Sequence, residues 1–137
     1  MRRFIAFVLI VALLGVQVCF ASDYDVMPCY EIARNVNTTL TISTSGLATV
    51  KVYAIAPSGA IIQATTHLEK YVNGNWEQVD LGITPNYWYD TGTMALSKSH
   101  ALSLSSAGQY RAYTTYVITY QGSTETIIKT ATAIYTG

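Results

Sequence analysis

Short runs of alternating apolar and polar residues, each ended by a turn signal, fill the chain after residue 39. A period of two is typical of strands that bury one face, whereas a helix places apolar residues every three to four positions. The segments between these runs are too short to hold crossover helices, which indicates antiparallel pairing. We therefore predict an all-β chain, folded as an antiparallel Ig-like β-sandwich of about seven strands. The predicted strands are residues 40–43, 49–56, 67–72, 75–79, 94–104, 110–120 and 124–135.

Two local signals add detail to the predicted sandwich. Asn73 and Gly74 stand between two alternating runs, and both residue types accept the positive φ of a type I′ hairpin turn. Tyr110 follows Gly108 at the start of a long predicted strand, where Ig-like domains place a tyrosine corner. We therefore expect the Tyr110 hydroxyl to turn back onto the preceding backbone. Ala112 stands where antibody domains carry a cysteine, so their inter-sheet disulfide is not expected.

The first 21 residues have the layout of a secretory signal peptide. Arg2 and Arg3 give a positive start, and residues 4–20 are uncharged and mostly apolar. Small residues, Cys19 and Ala21, occupy the −3 and −1 positions of a cut after Ala21. We predict a signal-peptide helix over 1–21, an N-terminal extension over 22–36 and the sandwich over 37–137. The mature protein is then expected to be secreted and extracellular.

Two other outcomes for this N-terminal segment stay open. A retained membrane anchor needs about 17–25 apolar residues, and this run lies at the short end of that range. A lipoprotein would be cut just before Cys19, but Val18 is a poor fit for a position that favours a small residue. Without an anchor or a lipid at Cys19, no membrane contact is expected once the signal is removed.

The charge balance argues against two classes of partner. Residues 22–137 carry six Lys and Arg and eight Asp and Glu, which gives a net charge of −2. A surface that follows a phosphate backbone needs an excess of positive charge, so nucleic acid is not expected as a partner. The same balance provides no electrostatic attraction to anionic lipid.

Cys29 is the only cysteine that remains after the predicted cut. An intramolecular disulfide needs two thiols, so Cys29 is either a free thiol or a partner in an intermolecular disulfide. Its place in the predicted N-terminal extension would let a second molecule reach it.

Motifs for catalysis, metal binding or cofactor binding do not occur in the sequence. His67 and His100 are the only histidines, and a spatial triad built on either one would leave no local motif. The predicted hairpin brings Glu69, Glu77 and Asp80 near one another, but solvated strand charges explain them more simply than a glycosidase pair. We therefore predict a protein that is not an enzyme and uses no cofactor and no metal.

Aromatic residues are the sharpest functional signal. Tyr87, Trp88 and Tyr89 fall in the longest predicted loop, residues 80–93, and Trp76 follows the predicted hairpin turn. Because Tyr and Trp provide a large contact area at low entropic cost, these four are predicted ligand-binding residues for a carbohydrate or a protein. Trp88 has an alternative interpretation, as a large side chain that closes one end of the core.

Three motifs carry a resemblance to other proteins. They are the hairpin over residues 68–79 (LEKYVNGNWEQV), Gly108-Gln109-Tyr110-Arg111, and Gly122-Ser123-Thr124-Glu125 in the last predicted hairpin. With these motifs and its N-terminal segment, the chain resembles a group of uncharacterised small secreted proteins of Gram-positive bacteria with an Ig-like sandwich domain. The resemblance implies export and an Ig-like fold, and it implies no activity and no functional residues.

Three functions are compatible with these features. The leading prediction is a secreted, non-enzymatic binding module whose ligand is a cell-surface glycan or a protein. The first alternative is a structural or self-assembling protein, which would use the last predicted strand if that strand lies at a sheet edge, because Glu125 and Lys129 are its only charged residues. The second alternative is a secreted hydrolase that depends on His67 or His100.

Overall fold

Eight antiparallel strands form over the residues that the structure, a computed structural model, describes, which are residues 30–137. They confirm the predicted all-β Ig-like sandwich, with one strand more than predicted. The predicted signal-peptide helix and Cys29 lie outside the described residues. Within the described range, no helix has the length and hydropathy that a membrane crossing requires. The strands are β1 (Asn35–Ile42), β2 (Leu47–Ile55), β3 (Ile61–Val72), β4 (Asn75–Gln78), β5 (Trp88–Thr93), β6 (Ala95–Ser103), β7 (Gly108–Tyr120) and β8 (Ser123–Tyr135).

The strands lie in two packed antiparallel layers. One layer has the order β1-β2-β6, and the other has the order β5-β3-β7-β8, with the short β4 also paired to β3. A single bridge between Thr93 and Ala95 joins β5 to β6, so the two layers are continuous where the chain turns from one into the other. On the opposite side, β1 packs against β7 and β8 without forming a ladder with either strand.

The alternating pattern places one face of each long strand in the core. Along β2, Ala48, Val50, Val52 and Ala54 are buried, while the residues between them are exposed or half-buried. The same alternation in β3 and β7 buries residues of the second layer, such as Ile62, Leu68 and Ile118. Removal of this apolar surface from water stabilises the fold by about 25 cal/mol per Å².

Tyr116 joins the two layers through the core. Its buried hydroxyl donates a hydrogen bond to the Asn37 carbonyl oxygen (2.7 Å), accepts one from the Tyr53 N–H (3.3 Å) and shares one with the Thr38 hydroxyl (2.9 Å). Burial raises the pKa of Tyr116, and the hydrogen bonds with Thr38 and Tyr53 only partly oppose this effect. A protonated tyrosine of β7 therefore bonds to both β1 and β2.

The predicted tyrosine corner is confirmed. The Tyr110 hydroxyl donates to the carbonyl oxygen of Ser106, four residues upstream, at 2.6 Å. The tyrosine ring is buried, and Ala112 is fully buried at the position that lacks the antibody cysteine. A local contact therefore holds the turn before β7 without a disulfide.

Both long hairpins use two-residue turns with positive φ. Asn73 and Gly74 have φ of 50° and 89°, as predicted for this turn, and Gln121 and Gly122 have φ of 49° and 82°. Positive φ at both positions is the signature of a type I′ turn, whose twist matches that of the flanking strands. The turn residues thus set the register of β3 with β4 and of β7 with β8.

The prediction of a loop over residues 80–93 is wrong in its second half, because Trp88–Thr93 form β5 and pair with β3. The sequence hides this strand because Asp90, a residue type usually found outside, lies on its buried side. Asp90 can be buried there because its carboxylate is hydrogen-bonded to the His100 ring of β6 at 2.7 Å. β3 also begins earlier than predicted, at Ile61 rather than at residue 67. Its added part includes Thr66, a polar residue that is buried because its hydroxyl is hydrogen-bonded to that of Thr114.

Candidate functional site

Three of the four predicted aromatic residues lie on the outer face of the β5-β3-β7-β8 layer. Since Thr66 and Leu68 of β3 are buried, the odd-numbered residues from Thr65 to Tyr71 point outward. Trp76 of β4 pairs with Tyr71, and Tyr89 of β5 pairs with Thr65, so both share this outer face. Tyr87, directly before β5, contacts the same face through His67.

Arg111 of β7 forms the centre of an aromatic cluster on this face. Its guanidinium carbon lies 4.4 Å from the centroid of the Trp76 ring and 5.5 Å from that of Tyr113. On the far side of the cluster, the rings of Tyr71 and Trp76 are tilted at a centroid distance of 5.2 Å. A cation over an aromatic face is attracted by the ring quadrupole, so Arg111 holds two rings from different strands in place.

An ion pair fixes the orientation of that guanidinium. The Arg111 Nε and Nη2 atoms lie 2.7 and 2.5 Å from Glu69 Oε2, and the two residues are register partners on β7 and β3. Both side chains are partly buried, so the pair is better shielded from solvent than a fully exposed one. The arginine is therefore neutralised as well as positioned.

Hydrogen bonds from a polar loop position the other half of the face. His67 pairs in register with Tyr113, and its ring meets the edge of Tyr87 at a centroid distance of 5.6 Å. Gln78 Nε2 donates to His67 Nδ1 at 2.9 Å and also to the carbonyl oxygen of Asn86. The side chain of Asn86 in turn bonds to the backbone of residues 79 and 81, which folds the loop that leads into Tyr87.

These residues form one row across the sheet, which we call the aromatic band. Its two ends are the most accessible, because Tyr71 is 45% and Tyr89 is 52% exposed, whereas the residues between them are only partly exposed. The band is thus a surface of rings with a pre-ordered interior and two open ends. Its members are Tyr71, Trp76, Arg111, Tyr113, His67, Tyr87 and Tyr89.

Trp88 is separated from the other predicted residues because it lies on the inner side of β5. Its ring stacks on His100 with centroids 4.9 Å apart and planes 6° from parallel, and it packs against the core. His100 Nε2 bonds to Asp90 Oδ2, and Asp90 is buried. Of the two interpretations of Trp88, the structure supports the one in which it closes the core, here at the open edge between β5 and β6.

Replacement of Trp88 by Ala is therefore expected to lower the free energy of unfolding by about 2 kcal/mol, which is less than the ~3–5 kcal/mol of a fully buried Trp because the ring is partly exposed. Urea denaturation followed by tyrosine fluorescence or circular dichroism measures this. Tyr89→Ala, one residue further on the exposed side of the same strand, is the matched control and should change stability by less than about 0.5 kcal/mol. Equal stability of the two variants would contradict the core placement of Trp88.

Sequence reasoning missed Tyr71, Arg111 and Tyr113 as members of the band. The alternation places each of them on the outward side of its strand, so their exposure was predictable. Their proximity was not, because it depends on the pairing of β3 with β7, whose partners Glu69 and Arg111 are 42 positions apart.

The described residues also bear on other kinds of site. Within residues 30–137, no group of three His, Cys, Asp or Glu side chains is arranged to hold a metal ion. The chain matches no protein family, and no curated protein is significantly similar to it. The geometry of the aromatic band is accordingly the observation on which a functional assignment depends.

Proposed function

We propose that this protein is a secreted, non-enzymatic binding module whose ligand contacts the aromatic band. The observation that carries this proposal is the pair of exposed rings, Tyr71 and Tyr89, at the ends of a row whose interior is held by Arg111 and Glu69. Groups that are already ordered lose little conformational entropy when a ligand binds, so such a surface favours affinity. Export is inferred from the basic and apolar layout of residues 1–21.

The composition of the band favours a protein ligand over a glycan. Tyr, Trp and Arg are the residue types most enriched at the energetic centres of protein interfaces. Arg111 covers one face of Trp76, the largest ring of the band, which leaves less of that ring for a sugar to stack on. Arg111 is itself neutralised by Glu69, so the surface does not demand a strongly charged partner.

The surroundings of the two histidines support a non-enzymatic role. His67 accepts a hydrogen bond from Gln78, and His100 is engaged by Asp90 and Trp88. Among the described residues, neither histidine is hydrogen-bonded to a Ser, Thr or Cys side chain that it could activate as a nucleophile.

The test compares one double variant and one single variant with the wild-type protein. Tyr71→Ser combined with Tyr89→Ser removes both open ends of the band, whereas Tyr53→Ser removes an exposed tyrosine from the other layer. Binding is measured to an array of immobilised extracellular proteins and to an array of cell-surface glycans. We expect the double variant to lose at least about tenfold in affinity, equivalent to about 1.4 kcal/mol, and Tyr53→Ser to bind as the wild type does.

Each result has a defined meaning. Equal binding by the wild type and the double variant would contradict a role for the band. Binding to glycans alone, lost in the double variant, would keep the band as the site and reject the protein ligand. Circular dichroism of all variants checks that the loss does not come from unfolding.

A further inference from the structure

The last strand, β8, ends one layer of the sandwich. It is 13 residues long and pairs only with β7, so its second row of backbone N–H and C=O groups has no ladder partner among residues 30–137. β1 packs against β8 without forming a ladder with it, and a long edge strand without a ladder partner is a template for pairing with another strand.

The other edges of the sandwich carry features that discourage such pairing. β4 and β5 are only four and six residues long, and the outer face of β1 carries Asn35 and Asn37, which disfavour strands. β6 places Lys98 and His100 on the side that faces the core, since they pair with the buried residues Val52 and Val50. Short length and inward charge are both known protections of sheet edges.

β8 is long, and its outer face carries no charge. That face consists of Thr and Ile only, without Pro or Gly, over the residues 124, 126, 128, 130, 132 and 134. Ile128 and Ile134 are 54% and 69% exposed, which leaves large apolar side chains in contact with water. β-branched residues of this kind favour extended pairing.

The two charged residues of β8 lie on its inner side and are both occupied. Glu125 accepts hydrogen bonds from the backbone N–H groups of Glu31, Ile32 and Ala33 at 2.9–3.0 Å. Burial raises the pKa of Glu125, but these three hydrogen bonds outweigh it and hold the pKa below its ordinary value of 4.5. The Lys129 ammonium lies 5.3 Å from the centroid of the Tyr30 ring. The lowered pKa keeps Glu125 an anion at neutral pH, and Lys129 lies four residues away on the same side of the strand.

We propose that β8 pairs antiparallel with β8 of a second copy of this chain, about a two-fold axis at Ile127. In this register Glu125 of each copy lies opposite Lys129 of the other copy, which gives two complementary charge pairs. On the outer side, Thr126 lies opposite Ile128 and Thr124 opposite Thr130. Opposite charges and Thr–Thr pairs that face each other across two strands stabilise a sheet.

In this register, the inward charges favour pairing with a second copy over pairing with a foreign strand. A foreign edge strand would leave Glu125 and Lys129 without partners at the new junction, whereas a second copy supplies both. The fourth lone-pair site of the Glu125 carboxylate is not used by the three backbone donors and can accept a bond from lysine. The pairing also places the outer faces of both copies on one continuous sheet, so two aromatic bands would face the same way.

A charge-exchange experiment on the full secreted chain tests the pairing. Lys129→Glu places Glu opposite Glu125 of the other copy, and Glu125→Lys places Lys opposite Lys129, so each variant alone creates two like-charge pairs. Mixing the two variants restores two opposite-charge pairs. Lys51→Glu, on the exposed face of β2, is the control with the same change of charge. Association is measured by sedimentation velocity across a wide concentration range.

We expect the wild type and Lys51→Glu to dimerise equally, each β8 variant alone to dimerise at least about tenfold more weakly, and the mixture to recover most of that loss. A wild type that remains monomeric at every concentration would overturn the proposal. A dimer that Lys129→Glu leaves unchanged would also overturn it, because the interface would then lie elsewhere.

A cross-linking experiment tests the register without changing any charge. In a Cys29→Ser background, Thr126→Cys and Ile128→Cys are made separately and then mixed under mild oxidation. Directly paired Cα atoms in a sheet are about 4.5–5.5 Å apart, within the range that a disulfide spans. The mixture should form the disulfide far faster than either variant alone. Equal rates in the mixed and single samples would contradict the two-fold axis at Ile127.

Discussion

Replacement of Tyr116 by Phe is expected to lower the free energy of unfolding by about 2 kcal/mol, although the ring that fills the core is kept. The hydroxyl group bonds to Asn37, Thr38 and Tyr53, and its removal leaves these buried polar groups with fewer partners. An unsatisfied buried donor or acceptor costs about 1–3 kcal/mol. Urea denaturation at pH 7 measures the loss, and Tyr89→Phe, whose hydroxyl is on an exposed residue, should change stability by less than about 0.5 kcal/mol.

The pH dependence gives an independent check that the Tyr116 hydroxyl is buried. Because the pKa of Tyr116 in the folded protein is raised above 10.0, the folded state holds its proton more tightly than the unfolded state does. The stabilisation is fully present below pH 10 and is lost as the pH rises further. The difference in stability between the wild type and Tyr116→Phe should therefore narrow above pH 10. A constant difference across that range would contradict the burial of the hydroxyl, and no difference at pH 7 would contradict the hydrogen-bond network.

Replacement of Gly92 by Ala is expected to have a larger effect, about 3 kcal/mol or more. A Cβ atom at Gly92 would clash with the carbonyl oxygen of Ala95, which is a backbone atom of the next strand. The corner cannot open freely, because the N–H of Ala56 donates to the carbonyl of Met94 at 2.8 Å and the N–H of Met94 donates to Ala60 at 3.1 Å. Overpacking in a constrained site costs about 1–3 kcal/mol and more when the backbone must move.

Thermal and urea denaturation measure this loss. Thr91→Ala, at the neighbouring exposed position of β5, is the matched control because it changes the same strand without the clash. It should alter stability by about 0.5 kcal/mol or less. A Gly92→Ala variant as stable as the Thr91→Ala variant would show that the passage between the two layers is looser than the geometry indicates.

Several parts of this fold are local, and the sequence alone predicted them. The Asn73-Gly74 turn needs only two residues that accept positive φ, and the Tyr110 corner is closed by a carbonyl four residues upstream. The alternation of Val50 and Val52 with polar neighbours reports which side of β2 is buried. Each of these features depends on interactions within a few residues, so a short sequence window contains all the information needed.

The tertiary structure alone decided which strands meet and in what register. β5 was hidden because Asp90 is buried, and it can be buried only because His100 from another strand bonds to it. The aromatic band depends on contacts such as that of Arg111 with Glu69, 42 positions away. Tyr116 reaches Thr38 across 78 positions. Turn geometry and alternation constrain each strand separately. The partner of a strand depends on packing of the whole core, so no single segment of the sequence determines it.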